Sequence, residues 1–283
     1  MKVFSTVQAI RKYLRAERRR GKSIGFVPTM GALHEGHLSL IKRSLDENDL
    51  AVCSIFVNPI QFNNKKDLEN YPKTPDQDLR FLDKRGCDAV FMPGIEDIYP
   101  KGETVDIDLD FGYLDKILEG KFRPGHFKGV AIVVKKLFEI IEPQKACFGK
   151  KDYQQLMIIT HMVKKLNMPV EIIPCPIIRE PDGLAMSSRN MRLSIRERQL
   201  APLIWDVLSK VKEKSGTMSV TKLKEWAVNR ISKEPLFRVE YIEIADKYTL
   251  RPLDNWKTKE NAMVLAAVVL NDVRLIDNME FFI

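Results

Sequence analysis

Ile24-Gly25-Phe26-Val27, running on into Pro28-Thr29-Met30-Gly31-Ala32-Leu33-His34-Glu35-Gly36-His37, is the stretch on which the fold turns. Its first four residues form a short apolar strand. Leu38, Ile41 and Leu45 then share one face of a helix that begins near Gly36. A strand that passes through a glycine-bearing loop into a helix opens a crossover unit of a parallel sheet. In such a sheet ligands sit beyond the carboxyl ends of the strands, which is where this loop falls.

The same alternation extends in both directions. Upstream, Ser5 is placed to cap an amphipathic helix carrying Val7, Ile10, Tyr13 and Leu14, with Arg18-Arg19-Arg20 in its last turn and Gly21 at its end. Downstream, the unbroken apolar run Leu50 to Val57 reads as a central parallel strand. Thr74-Pro75-Asp76-Gln77 joins a capping box to a proline at the first helical position, predicting a helix that stops near Gly86. The strand Asp88–Met92, a helix from about Gly129 to Ile141, the strand Lys145–Phe148, a helix capped by Asp152 and running to about Leu166, and a strand from Val170 to Ile178 complete this half.

After Ile178 the pattern changes. Ser194 and Glu197 form a capping box that opens a helix to about Lys214, and a second helix spans Val220 to Ser232. Strand-like alternation follows at Val239, Tyr241, Ile242 and Ile244, then at Ala262–Leu270 and Val273–Ile276. The expected architecture is α/β: a Rossmann-like parallel sheet with helices on both faces over residues 1–178, and a smaller C-terminal α+β domain over 179–283. There is no internal repeat, low-complexity tract or long linker.

Composition narrows the function. The 283 residues are 45% hydrophobic, enough for a substantial core, and 46 basic against 38 acidic residues leave a net charge of +8. That excess suits anionic small molecules as well as nucleic acid, but no basic run carries the interleaved aromatics of a nucleic-acid reader. Cys53, Cys87, Cys147 and Cys175 are far apart, mostly within apolar strand-like runs, and read as reduced core residues rather than a disulfide framework or a zinc site. The N-terminus lacks an apolar signal core and no segment has the length of a membrane span, so a cytoplasmic location is expected.

Four segments at strand ends carry chemistry. In the loop, His34 and His37 flank Gly36, and a histidine pair at a helix N-terminus can donate hydrogen bonds to charge developing on a nucleotide's α-phosphate. The H-E-x-x-H spacing of zinc proteases is absent. Phe56-Val57-Asn58-Pro59-Ile60-Gln61-Phe62 follows the next strand, where the Gln61 amide can grip both a hydroxyl and a carboxylate. Phe148-Gly149-Lys150-Lys151-Asp152-Tyr153-Gln154-Gln155 makes a second anion-receptive helix start: Lys151 suits a phosphate, Asp152 a ribose hydroxyl or metal-bound water, and Gln155 lies one turn on. Ala185-Met186-Ser187-Ser188-Arg189-Asn190 supplies hydroxyls and a guanidinium suited to a triphosphate.

HxGH at a strand-to-helix turn resembles the signature of the HIGH-type nucleotidyltransferase superfamily, with MSSRN as a counterpart of its lysine-rich loop. The longer string PTMGALHEGH, followed in order by NPIQF, GKKDYQQ and MSSRN, resembles the pantothenate synthetase family. The likeness spans most of residues 24 to 194 and includes Arg123-Pro124-Gly125-His126-Phe127.

That resemblance implies an ATP-dependent ligase that adenylates pantoate and passes the acyl group to β-alanine. It implies ATP contacts at Met30, Gly31, Ala32, Leu33, His34, Glu35, Gly36 and His37, at Gly149, Lys150, Lys151 and Asp152, and at Met186, Ser187, Ser188 and Arg189, with the backbone of Ile178 facing adenine. Lys150 receives no side-chain role. Gln61 and Gln155 would hold pantoate, and Gln61 would also receive β-alanine. Catalysis would fall to His37, His34, Lys151 and Arg189, with Mg²⁺ bound through the ATP phosphates and no protein carboxylate assigned to it; hydrogen-bond donation by His37 is favoured over literal acid catalysis. His126 and His161 read as structural or surface histidines. A homodimer is expected, with neither nucleic acid nor membrane as partner. The alternatives are another adenylyl- or cytidylyltransferase of the superfamily, and a basic RNA-binding module.

Overall fold

The computed structural model describes residues 1–256 and 261–282. The chain forms two compact units, the first of residues 1–150 and 155–177, the second of 151–154 and 178–283. The sequence reading drew one boundary near Ile178. The second unit takes in Lys151–Gln154 besides the residues from Ile178 on; within it Asn278 donates to the Lys151 carbonyl and the Tyr153 hydroxyl donates to the Lys247 carbonyl.

In chain order the first unit runs β1 (Lys2–Phe4), α1 (Val7–Arg19), β2 (Ile24–Thr29), α2 (Glu35–Glu47), β3 (Leu50–Ile55), α3 (Lys65–Glu69), α4 (Pro75–Lys84), β4 (Ala89–Phe91), α5 (Ile95–Ile98), α6 (Leu118–Phe122), α7 (His126–Ile141), β5 (Lys145–Gly149), α8 (Tyr153–Lys165) and β6 (Glu171–Cys175). Its strands form one parallel sheet in the order β1-β4-β3-β2-β5-β6. Helices cover both faces, because successive strand residues point opposite ways. Phe26 of β2 meets Phe138 of α7 edge-on at 6.2 Å. Its neighbour Val27 packs in the other layer, with Leu38 and Ile41 of α2 and with Cys53 of β3. All four cysteines are buried and unpaired with one another.

The second unit follows as α9 (Ile195–Leu200), α10 (Leu203–Glu213), α11 (Val220–Ser232), β7 (Phe237–Asp246), β8 (Asn261–Leu270) and β9 (Val273–Phe282). The three strands form an antiparallel sheet in chain order. Its inner face and helices α10 and α11 share a core that includes Val207, Leu208, Leu223, Ile231, Val264 and Val268.

Several local expectations change. Thr6, not Ser5, caps α1, since it holds the extended φ of −112° and its hydroxyl accepts from Ala9 N–H. The Thr74 capping box does not form: that hydroxyl donates instead to Asp78 Oδ1 at 3.0 Å, drawn by a buried carboxylate. Helix α7 starts a turn earlier than predicted, where Gly125 takes φ of 80°. Strand β6 ends at Cys175, three residues short of the expected Ile178. The helix expected to run unbroken from Ser194 divides at Pro202, whose ring removes a backbone donor and crowds the preceding turn. Strand β1 has no counterpart in the reading; three residues pairing with β4 are too short for alternation to show.

Candidate active site

The loop between β2 and α2 leaves the carboxyl end of an inner strand, whose neighbour on one side is β3 and on the other β5. Connections from β2 and β5 run to opposite sides, which makes this the switch point where open α/β sheets bind ligands. Thr29, the last residue of β2, fastens the loop: its hydroxyl donates to the Ser54 carbonyl at 2.7 Å and accepts from Gly31 N–H at 3.2 Å. Gly31 and Ala32 then both turn left-handed, with φ of 82° and 51°. Left-handed backbone at an alanine stores strain. The buried Asp78 of α4 holds it in place, accepting Ala32 N–H at 2.9 Å on one oxygen and Leu33 N–H at 2.8 Å on the other.

The loop ends in a cap built from two imidazoles. His34 is the N-cap of α2, and its Nδ1 accepts from Gly36 N–H at 3.1 Å. Three residues on, His37 Nδ1 accepts from His34 N–H at 3.4 Å, which closes a capping box with the rings 4.1 Å apart. An imidazole nitrogen that accepts an N–H carries no proton of its own, so in both neutral rings the proton sits on Nε2. The box therefore turns two histidines into two Nε2–H donors at a helix N-terminus, where the backbone already favours an anion. Glu35, between them, is exposed, and its carboxylate meets Arg85 at 2.7 Å, so what it offers to a ligand is its backbone.

Gln61 lies beside this loop, its Nε2 3.1 Å from the sulfur of Met30. It is nearly buried, and its Oε1 accepts from Asn58 Nδ2 at 3.0 Å. Its main chain is held as well: His126 Nδ1 lies 2.8 Å from the Gln61 carbonyl, and Arg123 Nη1 lies 3.0 Å from His126 Nε2. A carbonyl only accepts, so His126 donates from Nδ1 and receives Arg123 on Nε2. Helix α7 comes this close because residue 129 is glycine; a Cβ there would stand 2.6 Å from the Ile60 carbonyl oxygen. The segment Arg123–Phe127 thus serves Gln61. Gln155, half-buried at the start of α8, is in the same unit, and no hydrogen bond joins it to Gln61.

The other predicted residues belong to two segments. Lys150–Asp152 form a turn of 3₁₀ helix directly after Gly149 of β5. Lys151 is largely covered, its ammonium 3.8 Å from the half-exposed Asp152 carboxylate. In the second unit, residues 178–186 fold back on themselves, with Met186 N–H donating to the Ile178 carbonyl at 3.0 Å. Ser187 caps a 3₁₀ turn over Ser188–Arg192, accepting Arg189 N–H at 3.3 Å, and Ser188 is buried.

Arg179 braces this hairpin. Its guanidinium binds both oxygens of the buried Asp277, at 2.7 and 2.9 Å, and the carbonyls of Gly183 and Asn278. Burial pushes the Asp277 carboxyl above its ordinary value, against the pull of the Arg179 charge. Asn278 then donates to the Lys151 carbonyl at 2.9 Å. The sequence reading missed Asp78, Asn58, Tyr99, Arg179 and Asp277 as supports of these segments. Among the described residues no group of three or more His, Cys, Asp or Glu side chains is arranged to hold a metal.

A parallel sheet that presents a histidine-capped helix N-terminus at the carboxyl end of an inner strand is an α/β fold of the nucleotide-binding type. Comparison with known proteins narrows this class. The family model described as pantoate-beta-alanine ligase matches residues 2–280. The chain is 47% identical to the pantothenate synthetase of Porphyromonas gingivalis over 99% of both chains, and 47% identical to that of Cytophaga hutchinsonii over 97% of both. Among solved structures it is similar to the pantothenate synthetase of Thermus thermophilus (TM-score 0.91, 41% identity, 99% of each chain). It is likewise similar to the pantoate-beta-alanine ligase of Francisella tularensis complexed with beta-gamma ATP and beta-alanine (TM-score 0.83, 36% identity, 99% of this chain and 97% of that one). The chain belongs to the pantoate-beta-alanine ligase family.

Proposed function

We propose that this protein condenses pantoate with β-alanine to pantothenate through a pantoyl adenylate, consuming ATP and releasing AMP and pyrophosphate. The observation that carries the reading is the imidazole capping box: both Nδ1 atoms accept backbone N–H groups, so His34 and His37 each carry an Nε2–H donor, on a loop whose Met30 meets Gln61. Membership in the family and the ATP and β-alanine complex of the Francisella relative support it.

In the first step a pantoate carboxylate oxygen bonds to the α-phosphorus as the bond to the bridging oxygen of pyrophosphate breaks. Little covalent help is required. The work is orientation and the neutralising of charge on phosphate oxygens, which preorganised donors do well. We assign that role to His34 and His37, to Lys151 and to Arg189, with the nucleotide along Met30–His37, Gly149–Asp152, Ile178 and Met186–Arg189. Gln61 and Gln155 would hold pantoate, and Gln61 would also meet β-alanine. In the second step the β-alanine amine bonds to the acyl carbon, AMP leaves, and the amine gives up a proton.

Mg²⁺ would arrive on the ATP phosphates and add positive charge there; Asp152, whose carboxylate is half exposed, is the residue suited to hold one of its waters. A homodimer in the cytoplasm is the assembly and setting we assign, and light scattering of the purified protein tests the first. The activity is tested by incubating the protein with ATP, Mg²⁺, pantoate and β-alanine and measuring products. One pantothenate and one AMP per pyrophosphate are expected; no pantoate-dependent pyrophosphate release from folded protein would point instead to a nucleotidyltransferase with another acceptor.

A further inference from the structure

Gln61 is an amide placed against the histidine loop at Met30, and an amide presents either donors or an acceptor according to which way it is turned. Its orientation is decided by a chain of contacts that begins at Tyr99, a residue just after α5 that the mechanism above does not use. The Tyr99 hydroxyl lies 2.8 Å from Asn58 Oδ1, Asn58 Nδ2 lies 3.2 Å from the Gly129 carbonyl and 3.0 Å from Gln61 Oε1, and Gln61 Nε2 lies 3.1 Å from Met30 Sδ. The Gly129 carbonyl can only accept, which places the nitrogen of the Asn58 amide on that side and its oxygen towards Tyr99. Burial pushes the Tyr99 phenol above its ordinary value, so at neutral pH it keeps its proton and donates. With Asn58 turned this way its second N–H reaches Gln61 Oε1, which leaves Gln61 Nε2 on the side of Met30.

We infer that Tyr99 is a positioning residue for the carboxylic acid substrate: through Asn58 it locks the Gln61 amide with its nitrogen turned out against Met30, so that Gln61 presents an N–H donor to the substrate there. The thioether is a weak acceptor. A carboxylate or hydroxyl oxygen arriving there exchanges a poor hydrogen bond for a strong one. Without the Tyr99 hydroxyl, Asn58 Oδ1, in a side chain only 1% exposed, loses its donor, and the orientation of both amides rests on Gly129 alone.

This inference rests on the ligase reading, and the test separates the two. The wild-type protein, Tyr99→Phe, Gln61→Ala and the double variant are compared by steady-state pyrophosphate release with pantoate and ATP varied in turn. Loss of a buried hydrogen-bond partner of this kind is expected to raise KM for pantoate about tenfold in Tyr99→Phe, leave KM for ATP within about twofold, and shift kcat/KM for pantoate no further on the Gln61→Ala background. An unchanged KM for pantoate, an equal rise in both KM values, or the same loss with and without Gln61 would overturn it. If Tyr99→Phe does not fold, Asn58→Asp replaces it, since a carboxylate beside the Gly129 carbonyl turns Gln61 round; a normal KM for pantoate in that variant would overturn the inference equally. Absence of pantoate-dependent turnover in the wild type would remove the ligase reading itself.

Discussion

Two loops of this molecule are held by buried carboxylates, and the two are satisfied in different ways. In the first unit Asp78 takes only neutral donors: the N–H groups of Ala32 and Leu33 and the hydroxyl of Thr74. In the second unit Asp277 takes a forked guanidinium from Arg179, which also gathers the Gly183 and Asn278 carbonyls. The neutral clamp holds a strained turn that has to offer its backbone and two imidazoles to a ligand, without putting a cation beside them. The charged clamp holds the hairpin whose ends, Ile178 and Met186, are assigned to the nucleotide through backbone and flanking residues. Removing one partner should therefore cost stability most where a charge is left behind, and should cost function most where the loop carries both imidazoles.

The largest effect on stability is expected from Arg179→Met, which leaves Asp277 buried and unpaired at a cost of about 3–5 kcal/mol. The three tryptophans, Trp205, Trp226 and Trp256, all lie in the second unit, so the denaturant midpoint read by their fluorescence reports on it directly. Adding Asp277→Leu to Arg179→Met should recover much of the loss, because two matched apolar groups replace a buried pair at little net cost. If the single variant unfolds at the wild-type denaturant concentration, the charged clamp is not holding the hairpin.

Asp78→Asn comes next, and on activity it should exceed Arg179→Met. An amide that points an N–H at either Ala32 or Leu33 loses an acceptor and adds a repulsion, about 2 kcal/mol or ~30-fold in pyrophosphate release. The tryptophan transition should move little. Equal losses of stability in the two units would erase the contrast between the clamps.

Gly129→Ala is expected to cost about 1–3 kcal/mol by pressing a methyl group on the Ile60 carbonyl, with a matching fall in activity as Gln61 shifts; thermal melts and turnover check both. Smallest is Glu197→Gln. Ser194 N–H and the Asn271 amide hold the Glu197 carboxyl below its ordinary value, so its contribution is complete above the usual glutamate range and is lost as pH falls through the lower folded value. Glu197→Gln should cost about 1 kcal/mol at neutral pH and flatten the acid limb of stability measured by tryptophan fluorescence.

What could be read from sequence divides along the same line. Helix α11 matches its expected bounds, Val220 to Ser232, because a serine cap and a 3.6-residue period are local signals. The Ser194–Glu197 box forms as expected for the same reason. The histidine loop was legible as chemistry because its residues are contiguous. Its clamp was not: Asp78 is 45 residues from Leu33, Tyr99 is 41 from Asn58, and Arg179 is 98 from Asp277. Contacts at that separation leave no periodicity behind. Thr74 shows the reverse case, a local capping signal overruled because a distant loop required the carboxylate its hydroxyl now serves.

In the proposed mechanism the two Nε2–H donors at the start of α2 serve adenylation rather than folding. Single-turnover pyrophosphate release with ATP, Mg²⁺ and pantoate, without β-alanine, tests this in the wild type and in His37→Ala. One equivalent of pyrophosphate released in a burst by the wild type, and a burst slowed by roughly 10²-fold or more in a variant that stays folded and loses no more than the ~1 kcal/mol of a helix cap, is the predicted result. A His37→Ala burst at the wild-type rate would contradict it and leave the imidazole box as no more than a helix cap.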